Sequence, residues 1–241
     1  MSDRHAALWL ARRFPLAGRL YTGTPSRSAV QSRGSAGTVW SPAAATGADV
    51  TGTSATGTSV TLVLFSSSPG SMAWLASSIA TALPATVVVA KTPDDPQATL
   101  RAVQSELEPD ASRLGVIGEG TAASAAIAAA SAGQRLALVS PEFPSSRNRS
   151  GMPSLDGVPP TLLQFARNGA SGGVIRDLET TMRDAGIAVR ATDYTGIADG
   201  WARFPKAVRR SDRALDDLLA FLRRGFGTES TFQVIPGWDL H

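Results

Sequence analysis

Leu114-Gly-Val-Ile-Gly-Glu-Gly-Thr-Ala-Ala-Ser124 decides how this chain folds: an apolar run, a turn rich in glycine, then small residues. It reads as a buried strand feeding a sharp turn and the start of a helix. Two chemistries use such a turn. In the nucleophile elbow, G-x-S-x-G, the strained turn exposes a serine hydroxyl and small neighbours avoid clashes. In the dinucleotide fingerprint, G-x-G-x-x-G/A, glycines let a pyrophosphate approach a helix N-terminus. Gly118-x-Gly120-x-x-Ala123 fits the second, with Glu142 near the expected place of a ribose ligand. That fingerprint normally opens its domain, whereas here two strand–helix units precede it.

Strands and helices alternate outward from the turn. Val60 to Phe65 and Thr86 to Ala90 are apolar runs of the kind buried on both faces of a parallel sheet. Between them Trp74, Leu75, Ile79 and Leu83 fall at helical spacing. Asp94-Asp95-Pro96 offers a cap and a first-turn proline for a helix carrying Leu100, Val103 and Leu107 on one face. Further strands are expected at 113–117, 136–140, 161–165 and 188–192. Helices are expected at 122–132, from Val174 to a stop at Gly186, and over Leu215 to Leu222. The alternation requires right-handed crossovers and a mostly parallel, doubly wound sheet in an α/β/α sandwich.

The first part of the chain reads differently. Residues 1–21 hold Leu8, Trp9, Phe14, Leu16, Leu20 and Tyr21 among arginines, an amphipathic segment. In residues 22–58, 27 of 37 are Ser, Thr, Gly or Ala, so little can be buried to offset ordering entropy. That stretch is expected to be mostly irregular and open to proteases, apart from a short edge strand at Val39 and Trp40. Residues 59–241 form the α/β unit, and 241 residues suffice for a sizeable core.

Composition excludes several classes. Net charge is +3, and the basic residues of 203–213 and Arg223 and Arg224 are interspersed with Asp212, Asp216 and Asp217, which marks a solvated helix face rather than a nucleic-acid surface. There is no cysteine, so neither disulfides nor thiolate metal sites form. No metal or cofactor is expected. No apolar run is long enough to span a membrane, and the short run Ala6 to Leu10 is too brief for a secretion signal, so a cytoplasmic location is expected.

Over residues 60–224 the chain resembles the hormone-sensitive-lipase-like branch of the α/β hydrolases. Asp110-Ala-Ser-Arg-Leu-Gly-Val-Ile-Gly-Glu-Gly-Thr-Ala-Ala123 is similar to that family's D-P-S-R-I-x-V-x-G-D-S-A-G-G. Pro160-Thr-Leu-Leu and the segment ending Asp184-Ala-Gly-Ile-Ala-Val resemble the elements flanking its catalytic acid. Tyr194-Thr-Gly-Ile-Ala-Asp-Gly-Trp201 resembles Y-x-G-x-x-H-G-F, which presents its histidine. The resemblance implies the fold and the positions of an ester-hydrolase triad, but the residues there differ. The nucleophile position is Gly120, the acid position falls at Asn168 or Gly169, and the histidine position is Asp199. The loop matching the oxyanion motif HGGG reads Ser66-Ser-Ser-Pro-Gly70.

A count independent of the resemblance agrees: the two histidines, His5 and His241, stand near the chain ends. A serine nucleophile needs a base within reach and a third group to orient it. Asp199 is a poor base for a hydroxyl and is expected to keep the shape of its loop. The expected function is therefore binding, of a small molecule or a protein partner, in the remnant crevice at Ser66, Ser67, Thr121 and Trp201. Thr121 is expected to cap its helix, the Ser66 and Ser67 hydroxyls to face a ligand or satisfy loop backbone, and Trp201 to pack beside the old pocket. Glu119 is expected to point into the structure. An esterase using Thr121 or Ser66 with Asp199 or His241, and a dinucleotide binder, are the competing expectations.

Overall fold

The computed structural model describes residues 22–43, 60–130, 134–143, 153–167, 169, 172–195, 197–208 and 210–227. The amphipathic segment expected over 1–21, residues 44–58 of the irregular stretch, Asn168, His5 and His241 lie outside them.

Eight strands form one sheet: β1 (Ala29–Gly34), β2 (Gly37–Pro42), β3 (Val60–Ser66), β4 (Ala85–Lys91), β5 (Leu114–Glu119), β6 (Arg135–Val139), β7 (Thr161–Ala166) and β8 (Val189–Tyr194), in the order β1-β2-β4-β3-β5-β6-β7-β8. From β4 to β8 neighbouring strands are parallel, while β2 pairs antiparallel with both β1 and β4. Among the described residues five α-helices cover the sheet: α1 (Ala73–Ala82), α2 (Pro96–Leu107), α3 (Ala123–Ala129), α4 (Gly172–Asp184) and α5 (Ser211–Phe226).

Alternation along the strands splits the core in two. Leu62, Leu64, Val87, Val89, Ile117 and Val139 face α1 and α5, where Leu75, Ile79, Leu218 and Leu222 meet them. Val63, Phe65, Val88, Val116, Leu138 and Leu163 face α2, α3 and α4, through Leu100, Val103, Ile127, Ile175 and Leu178. Burying each such side chain contributes about 1.5–3 kcal/mol, which is why the central strands read as unbroken apolar runs. The helix ends follow their sequence signals. Asp95 accepts a hydrogen bond from the Ala98 N–H with Pro96 in the first turn of α2, and Gly227 closes α5 in the left-handed conformation at φ +63°.

The loop expected over 22–58 is corrected at 29–42. A hairpin stands there, and Val39 and Trp40 lie in its inner strand rather than on the sheet edge, which β1 takes. The composition argument fails because two side chains suffice. Trp40 is 5% exposed in the α1/α5 layer and Val39 8% exposed in the other, while Thr38 to Trp40 take their hydrogen bonds from β4. The hairpin turn is pinned to α2, where Ser35 donates to the Glu106 carboxylate through its N–H (2.9 Å) and hydroxyl (2.5 Å).

Candidate functional site

The elbow follows from strand β5. Its last residue, Glu119, is 1% exposed, and the chain reverses at Gly120, whose φ of +60° is the left-handed region that glycine enters without steric cost. Gly118 lets α3 sit close. A β-carbon there would stand 2.5 Å from the Ala126 Cβ and 3.0 Å from the Ala123 Cα, so its absence serves strand-to-helix packing. The Glu142 N–H donates to the Gly120 carbonyl (2.9 Å), tying the turn to the chain leaving β6.

Glu119 is held from two sides. The Ser66 hydroxyl donates to Oε2 (2.9 Å) and Nε of Arg203 donates to Oε1 (2.6 Å). Burial pushes the Glu119 carboxyl above its ordinary range; the Arg203 guanidinium and the Ser66 hydroxyl oppose the rise, and the Glu142 charge adds to it. Arg203 comes from the turn after β8, where its N–H and that of Phe204 donate to the Gly200 carbonyl. Its Nη2 donates to the Ser67 hydroxyl (3.1 Å), and a β-carbon on Gly120 would stand 2.6 Å from that same nitrogen. The space over the elbow is thus occupied by a guanidinium.

The other two positions named by the resemblance also meet. A β-carbon on Gly169 would collide with the Asp199 carboxylate, so one of the two residues expected at the acid position adjoins the residue expected at the histidine position. The segment carrying Asp199 therefore reaches Gly169 through one residue and Gly120 through Arg203. Gly200 is held by its N–H to the Ser140 hydroxyl (3.3 Å).

Among the proposed crevice residues, only Ser67 and Thr121 are exposed. Ser66 is fully buried, and its hydroxyl is used by Glu119 and by the Ser68 N–H (3.1 Å). Trp201 is 1% exposed and packs edge-on against Trp74, ring centroids 6.4 Å apart. The cap expected of Thr121 is corrected: neither the turn at Gly120–Ala122 nor α3 has a side-chain cap, because the chain enters α3 directly from that turn. An open cavity of about 460 Å³ lies at the opposite end of the sheet, lined by Leu155, Val158, Pro160 and Ile187 among others.

Arg203 is the residue that sequence reasoning missed, having been counted with the basic cluster. The available signal was Glu119, since a carboxylate ending a buried strand needs a cation. No local pattern names a partner 84 residues away.

No protein-family model matches the sequence, and no curated protein does. Solved structures do match. A hormone-sensitive-lipase homologue from a metagenome library superposes with a TM-score of 0.67 at 13% identity, over 93% of this chain and 92% of its own. An esterase of the bacterial hormone-sensitive lipase family gives 0.64 at 17%, over 94% and 99%. The esterase of Pyrobaculum calidifontis gives 0.64 at 12%, over 93% and 94%. This chain has the α/β-hydrolase fold. At such identities the likeness extends to the fold alone. Among the described residues no helix is long and apolar enough to cross a membrane, and no three His, Cys, Asp or Glu cluster to hold a metal.

Proposed function

We propose that this α/β-hydrolase-fold protein does not hydrolyse esters and instead binds a small polar molecule at the C-terminal edge of its sheet, over Gly120. One observation carries the reading: the place of a nucleophile's side chain is filled by the Arg203 guanidinium, locked to buried Glu119. A guanidinium neither attacks a carbonyl nor takes a proton at neutral pH. The C-terminal edge is where open α/β sheets bind ligands, and Ser67 and Thr121 are exposed there. A protein partner on the same edge is the second occupant this reading allows. Dinucleotide binding is disfavoured because the glycine turn follows the third parallel strand of the chain, and Gly118 already serves α3 packing.

The test is turnover of a short-chain nitrophenyl ester. The native protein should stay at background, and so should Gly120→Ser, whose hydroxyl would meet Arg203 and find no imidazole. The combination Gly120→Ser, Gly169→Asp, Asp199→His and Arg203→Ala rebuilds three roles and clears the elbow; it should rise above the single variant. Turnover by the native protein at about 1 to 10³ per second would overturn the reading, and Thr121→Ala and His241→Ala would then locate the nucleophile and base.

A further inference from the structure

We propose that Arg203 is the group that reads the ligand, and that the ligand is a small monocarboxylate whose two oxygens take the outer edge of the guanidinium. This rests on the binding reading above and names the ligand class for that site. Arg203 has five N–H donors. Nε is committed to Glu119 and one hydrogen of Nη2 to Ser67, and among the described residues the remaining donors, on Nη1 and Nη2, have no protein acceptor. Those donors form the parallel pair that a carboxylate accepts in a fork.

The guanidinium is held in place before any ligand arrives. Its side chain is 20% exposed, while the carboxylate that anchors it is 1% exposed and itself fixed by Ser66. A planar cation tethered at Nε by a buried acid, with a fifth of its side chain exposed, has little rotamer freedom left to lose on binding. Ser67 adds to this: its oxygen accepts from Arg203, which leaves its own O–H to donate, and the residue is exposed. Gly120 contributes by absence, since a β-carbon would press on the nitrogen that must present the second donor.

Charge selects among anions. Glu119 already balances Arg203, and Glu142 lies close enough to raise the Glu119 carboxyl. A dianion such as phosphate brings a second negative charge to a guanidinium that Glu119 already balances and is opposed, whereas a singly charged planar acceptor gains the fork at smaller repulsion. A neutral amide offers one oxygen and forgoes the second charge-assisted bond.

The experiment titrates the full ¹⁵N-labelled chain with butyrate, with butyramide of the same shape, and with inorganic phosphate, following the amides of Gly120 and Ser67 and the Arg203 Nε–H. Butyrate should shift these signals to saturation, and butyramide and phosphate should bind at least about ten-fold more weakly, the worth of one charge-assisted hydrogen bond. Arg203→Lys keeps a cation for Glu119 but loses the fork and should weaken butyrate by about ten-fold or more. Equal binding of butyrate and butyramide, preference for phosphate, or butyrate shifts confined to Arg210 and Arg213 would overturn the proposal. Should Arg203→Lys fail to fold, the butyrate-to-butyramide ratio on the native protein decides alone. Silence at Gly120 with all three probes also overturns it. The broader binding reading falls only if a panel of uncharged and cationic fragments leaves Gly120 silent as well.

Discussion

Two polar clusters are buried against this sheet, and they use their hydrogen-bonding groups differently. Under α5, Gln164 of β7 donates from one amide nitrogen to the Tyr194 hydroxyl (2.7 Å) and the Ala214 carbonyl (2.8 Å); Tyr194 donates to Asp217 (2.8 Å), beside Arg190. Burial and the Asp217 carboxylate push the Tyr194 hydroxyl well above its ordinary range. Its buried part, Gln164 and Tyr194, is a crosspiece between two strands and a helix, and the donors of those two side chains are spent. The Glu119–Arg203 cluster is equally anchored at its inner end but keeps donors at its outer end. A network with every donor spent specifies packing, and one with spare donors at a solvent-facing rim is equipped to recognise something.

The comparison breaks hardest at Arg203. Arg203→Ala leaves Glu119 buried without its cation and should cost about 3 kcal/mol at neutral pH. The Glu119 carboxyl is already raised and rises further once the cation is gone, so the folded state keeps a proton that the unfolded chain has lost. The penalty is therefore absent below the unfolded value of about 4.3 and grows as pH rises toward the folded one. Urea midpoints should show a larger loss relative to the native protein near pH 8 than near pH 5; equal losses would mean that Glu119 does not carry it.

Gly118→Val tests whether the elbow is a packing joint, and forcing a side chain against Ala126 and Ala123 should cost about 1–3 kcal/mol by thermal or urea unfolding. Tyr194→Phe removes the middle of the α5 crosspiece; it should cost about 1 kcal/mol and leave the butyrate titration unchanged. A changed titration would show that the two clusters are coupled. The smallest effect is expected at Ser67→Ala, within about 0.5 kcal/mol for stability because the residue is exposed. A larger loss would make the rim of the second cluster structural, like the first.

The parallel strands and their helices were legible because each is announced locally, by an apolar run, a proline at a helix start or a glycine at a helix end. The hairpin was not, although Gly34-Ser-Ala-Gly37 holds a two-residue turn between glycines. Its outer strand is mostly polar on the exposed edge, while its inner strand is held by β4 and its turn by Glu106, neither of which a local window contains. At the site, Ser66 and Ser67 were read as equivalent. Adjacent residues leaving a strand point to opposite sides, so only Ser67 could face outward once Ser66 was bound to Glu119.

The sequence by itself determined the layered fold and the glycine turn that follows β5, since these follow from residue identities and short-range periodicity. Tertiary structure alone decided what stands over that glycine. Glu119 and Arg203 meet only after the sheet has brought the end of β5 beside the turn after β8. The physical reason is that an ion pair depends on distance in space, and spatial neighbours from separate strands leave no mark on the spacing along the chain.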